Sequence, residues 1–141
     1  MSSQETLGRT FNLITSATTT ATRVNLQNCA GVSFVLTGAT SGNATIQEAS
    51  AASGGTAQNL AAITRYYTWS ATTGLWTKVT QAAAATFTAT TGGLAYAFIP
   101  QGALTDGFKY LTASHATGSF LYIMGDLDVQ RAPASLSSVL S

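Results

Sequence analysis

Charge is what this sequence lacks most. Among 141 residues there are 6 Lys or Arg and 5 Asp or Glu, 8% in all, against about 25% in ordinary soluble domains. The few cations are scattered, the formal net charge is +1, and no basic stripe marks a nucleic-acid footprint. Cysteine is almost absent: Cys29 stands alone, which excludes an internal disulfide and reads as a small buried hydrophobe. The single histidine, His115 in TASHATGS, reads as a solvated loop residue. No apolar run approaches the ~20 residues of a membrane-spanning helix. MSSQETLGRT lacks the basic and then apolar regions of a signal peptide, so the expectation is a soluble product made in the cytoplasm. No GxSxG elbow, HExxH helix or P-loop is present. With so few ionisable groups, acid–base chemistry has few candidates. The expectation is a protein that is not an enzyme and carries no cofactor.

Alanine, threonine, serine and glycine fill the space the charges leave. The hydrophobic fraction of 45% is not the composition of a disordered chain. The length fits one domain, large enough to bury roughly 68–70% of its unfolded surface. A surface with so few charges is poorly defended against association. Much of it is therefore expected to be covered by other copies or by a partner.

Short runs with period-2 alternation, separated by Gly, Ser, Thr and Asn, dominate the chain. In GVSFVLTG, Val32, Phe34 and Leu36 point one way, while Ser33, Val35 and Thr37 point the other, the mark of a half-buried strand. NATIQEAS places Ala44, Ile46 and Glu48 on one face. RYYTWSATTGLWTKVTQ reads as a hairpin, with Tyr67 and Trp69 on one arm, Trp76 and Lys78 on the other, and a turn at Thr72-Thr73-Gly74. LAYAFIP, GFKYLTAS and FLYIMGDLDVQR supply further strands. AQNLAAIT, with Leu60 and Ile63 three apart, is the one short helix expected, near Ala57–Thr64. Strands at ~8–12-residue spacing predict an all-β, single-domain sandwich or barrel of about eight to ten short, mostly antiparallel strands. The expected organisation is a mobile N-terminal segment over 1–8, the β domain over 9–132 and a C-terminal arm over 133–141.

Asp126 and Asp128 form the only close carboxylate pair. On a strand they project to one side, and a calcium ion would want six to eight oxygens, which no loop here supplies. They are expected to face solvent or an interface, matched by Arg131 or by an arginine of another copy. Pro133 ends regular pairing. Beyond it, Leu136, Val139 and Leu140 are apolar anchors on a small-residue arm that fits a neighbour's sheet edge or a groove.

The order of GVSFVLTG, ATIQEASAASGGTAQNL, the aromatic hairpin, AYAFIP, FKYLTAS and DLDVQRAPASL resembles small virion structural proteins of tailed bacteriophages, in particular capsid decoration proteins. The resemblance spans about Val24 to Leu136. It implies a non-enzymatic β domain on the outer surface of the assembled head, bound to the major capsid protein, often as a trimer, reinforcing contacts between shell subunits. A tail-tube, head–tail or fibre-associated role is the neighbouring alternative. A carbohydrate-binding sandwich is another, with Tyr67, Trp69 or Trp76 stacking on sugar rings. An enzyme is the weakest reading, and its residues would be His115, Asp126 and Asp128.

Overall fold

The alternating runs become strands because side chains of one parity are apolar enough to be buried together. A computed structural model describes residues 13–17, 22–27 and 29–125. In it the chain forms β1 (Leu13–Ala17), β2 (Val24–Asn25), β3 (Gly31–Thr37), β4 (Gly42–Ala49), β5 (Ala57–Asn59), β6 (Ile63–Trp69), β7 (Trp76–Ala84), β8 (Thr86–Ala89), β9 (Leu94–Pro100), β10 (Tyr110–Ser114) and β11 (Ser119–Gly125). Helical structure among the described residues is one 3-10 turn, Gln101–Ala103. A six-stranded sheet runs β1-β11-β3-β9-β6-β7. A five-stranded sheet runs β2-β10-β4-β5, with β8 also on β4. Neighbouring strands are antiparallel throughout. The sandwich expected from the sequence is present, and neither sheet closes into a barrel.

Each sheet contributes its inward parity to the core. Val32, Phe34 and Leu36 of β3 are at most 1% exposed, as are Ala95, Ala97 and Ile99 of β9. Phe120, Tyr122 and Met124 do the same on β11, and Ala44 and Ile46 face them from β4. Phe34 meets Tyr122 edge to face at 4.9 Å and Phe120 at 6.5 Å, the geometry ring quadrupoles favour. Tyr66 of β6 and Phe87 of β8 join the two sheets at 6.0 Å. Buried Tyr122 also has a polar partner across the core. Its hydroxyl accepts the Ala113 N–H at 3.2 Å and donates to the Ala113 carbonyl at 3.3 Å.

The helix expected near Ala57–Thr64 is not formed. Ala57–Asn59 is strand β5, paired with Ala49, Glu48 and Gln47 of β4. Leu60 is then buried while its N–H bonds to the Ile46 carbonyl at 3.1 Å, and Ile63 opens β6 in the other sheet. A spacing of three apolar positions serves a helix, but it also serves a chain crossing between sheets that leaves one anchor on each side. Here the open edge of β4 takes the backbone bonds that a helix would have made internally.

The same edge explains a buried carboxylate. Glu48 shares the inward parity of Ile46 and is fully buried. Its Oε1 accepts Gln58 Nε2 at 2.5 Å from β5, and its Oε2 accepts the Thr105 N–H at 2.8 Å. Burial works against the charged form, yet the hydrogen bonds from Thr105 and Gln58 outweigh it and hold the carboxyl below the ordinary glutamate range. The folded state thus binds the proton less tightly than the unfolded chain. The stabilisation is present above the unfolded value and is lost as pH falls through the folded one.

Chemical-denaturation midpoints are therefore expected to decline as pH drops below about 4, and Glu48→Gln should flatten that decline. Glu48→Ala should cost about 1–3 kcal/mol at neutral pH by removing the acceptor of the Thr105 N–H and the Gln58 amide. Tyr122→Phe should cost a comparable amount, since it strips both bonds from Ala113; a melting temperature equal to that of the parent would contradict the cross-core tie.

Candidate functional site

Antiparallel sheets usually show a polar face to water. The outer face of the six-stranded sheet is instead mixed, apolar and aromatic along its middle strands and polar toward its edges. Its residues fall into rows fixed by register. Lys78, Tyr67, Tyr96, Val35, Leu121 and Thr15 follow one another across all six strands. Beside them run Trp76, Trp69, Leu94, Thr37 and Ser119. On the other side Phe98, Ser33 and Ile123 form a third row. The inward partners of the β9 residues are Ala95, Ala97 and Ile99, so this strand is apolar on both faces.

The aromatic end of this face is open. Leu75 is 67% exposed, Trp76 55% and Phe98 45%. The rings of Tyr67 and Tyr96 lie 5.9 Å apart, and the Tyr96 hydroxyl is 3.2 Å from Ser33 Oγ. Trp76, Phe98, Tyr67 and Tyr96, with Arg65, Thr64 and Pro100, line a shallow groove of about 830 Å³. Arg65 and Lys78 are exposed here. The described carboxylates are elsewhere, Glu48 in the core and Asp106 in the β9–β10 connection. Backbone geometry sets the platform. Gly74, at φ 68°, closes the β6–β7 turn, where its N–H bonds to the Ser70 carbonyl at 2.8 Å. Gly93 lets β9 approach β6 so closely that a Cβ there would overlap the Trp69 carbonyl oxygen.

The residues singled out from sequence are distributed unevenly. Tyr67, Trp69 and Trp76 meet on this face as the hairpin reading placed them, Trp69 opposite Trp76. Tyr96, Phe98 and Arg65 were not singled out. The alternation of LAYAFIP, with Leu94, Tyr96 and Phe98 on one parity, carried the signal for two of them. His115 is a correction. It is buried rather than solvated, only 8% exposed, with Nδ1 accepting the Thr117 N–H at 3.1 Å and its ring against Gly42. Asp126, Asp128, Arg131, Pro133, Leu136, Val139 and Leu140 lie outside the described residues. Among the described residues no group of three or more His, Cys, Asp or Glu is placed to hold a metal ion, and no helix is long and apolar enough to cross a membrane. Compared with protein families, curated proteins and solved structures, the chain matches none.

Two substitutions separate the platform from the core. Trp76→Ala should change stability by less than about 0.5 kcal/mol and remove the tryptophan signal most accessible to iodide or acrylamide. Gly93→Ala should cost on the order of 1–3 kcal/mol and shift the emission of Trp69. The reverse ranking in thermal melts would show that the platform is part of the folding core.

Proposed function

We propose that this chain is a non-enzymatic structural protein of a tailed-phage virion, a decoration protein on the outer surface of the assembled head. In this reading it acts as a homo-oligomer, a trimer by the resemblance, and reinforces contacts between major capsid protein subunits. The observation that carries an assembly role is the outer face of the six-stranded sheet. An open cluster of large apolar and aromatic side chains on a sheet face marks an interaction site rather than a solvated one, and a chain with 8% charged residues has little else to keep copies apart. The virion setting rests on the segment order between Val24 and Leu136. The short side chains of the remaining surface suit repeated assembly, because little rotamer freedom is lost when they are ordered.

A second reading is supported by Trp76 and Tyr67, whose exposed or half-buried rings beside Arg65 offer a stacking surface for sugar rings. Such a site would place a carbohydrate-binding sandwich on the virion.

The test is co-sedimentation with shells assembled from the major capsid protein of the same phage. The full chain should bind to saturation, and a chain truncated after Pro133 should lose most of its occupancy while keeping its far-UV circular dichroism. Failure of the full chain to bind refutes decoration. Equal occupancy of both chains refutes the role of the arm. Quenching of Trp76 emission by glycans, absent in Trp76→Ala, would favour the second reading.

A further inference from the structure

The longest edge strand of the sandwich is β7. It has nine residues, Trp76–Ala84, and among the described residues only β6 lies beside it. Natural sheets blunt such edges with prolines, charged side chains, bulges or very short strands. β5, with three exposed residues, is short. β7 carries WTKVTQAAA, with no proline and one charge, Lys78, and its register with β6 is regular from Trp76 to Thr80 and slips only beyond, so over Trp76–Thr80 its far side presents a row of backbone donors and acceptors to an added strand. Its two faces differ in chemistry. Lys78 stands on the outer face opposite Tyr67, with Arg65 one strand further in, opposite Thr80. Val79, of the other parity, is packed against the core. A strand that completes this edge therefore needs acidic residues alternating with apolar ones.

The chain contains one segment with that pattern: Asp126-Leu127-Asp128-Val129. We propose that this segment of a second copy adds as a strand to the free edge of β7, with Asp126 and Asp128 on the outer face beside Lys78 and Arg65, and Leu127 and Val129 toward Val79. Opposite charges placed across neighbouring strands are mutually favourable, and apolar neighbours on the other face add to them. Reach decides between the chain's own segment and a neighbour's. The segment starts immediately after Gly125 on β11, and a strand beyond β7 lies five strand spacings away, about 24 Å. One to four residues span at most about 4–14 Å. The chain's own carboxylates stop short, and a second copy supplies them. The contact joins two different surfaces, so it is head-to-tail and closes into a ring at the right rotation. This inference rests on the homo-oligomeric part of the proposed function and is independent of the shell.

The test reads solution mass by light scattering after size exclusion, with no shell present. The full chain should run as a multiple of its 14.5 kDa protomer. Arg65→Glu with Lys78→Glu reverses the edge, and Asp126→Lys with Asp128→Lys reverses the segment. Each double variant alone should be monomeric at concentrations where the parent is assembled, while an equimolar mixture should recover assemblies, since each supplies the charge the other lacks. A monomeric parent, an assembled single variant or a mixture that stays monomeric overturns the proposal. Asp126→Asn with Asp128→Asn leaves the β7 edge itself unchanged and should raise the dissociation constant roughly fivefold or more; an unchanged constant also overturns it. Shell binding by a monomeric parent would leave decoration standing while this contact fails.

Discussion

The hydroxyl of Tyr122 holds two sheets in one relation. It sits at the centre of β11, packed edge to face on Phe34, and reaches across the core to both backbone groups of Ala113 on β10. An apolar core is non-directional, and side chains as small as Ala95, Ala97 and Ala113 would allow the sheets to slide. A paired donor and acceptor on one residue fixes a single offset. Strand alternation then turns everything of the opposite parity outward. The open aromatic face is thus the reverse side of the strands whose inner parity fills the core.

Local patterning carried most of the architecture. The alternation of Val32, Phe34 and Leu36 is visible as such, and Gly74 marks the hairpin turn because few other residues take its conformation without strain. What escaped was set by pairing and packing partners outside the run itself. Leu60 and Ile63 have helical spacing, yet β4 claims the backbone of Ala57–Asn59. His115 sits in a turn-like stretch, yet Gly42 from a distant strand lies against its ring. Glu48 looks like an ordinary strand acid until Thr105, contributed by another connection, donates to it.

The candidate site divides the same way. Its hairpin half, Tyr67 and Trp76, was legible because the pairing is between sequence neighbours. Its other half, Tyr96 and Phe98, depends on β9 lying between β3 and β6, a non-local arrangement that no run of residues announces. The alternation in LAYAFIP shows that both faces of that strand are apolar, but not which one is left uncovered.

Two loops that look alike in sequence differ in how the fold holds them. TTG at the β6–β7 tip and TDG before β10 are both small polar turns closed by a glycine. The second is moored by a buried carboxylate through the Thr105 N–H. The first closes on its own backbone and side chains, and its residues 71–75 are all exposed. Foreign sequence inserted at Thr72-Thr73 would hang from a closed hairpin and leave the sandwich untouched. The same insert at Thr105-Asp106 would pull a hydrogen bond out of the core. The β6–β7 tip is therefore the fold's natural attachment point for a displayed peptide, one per copy.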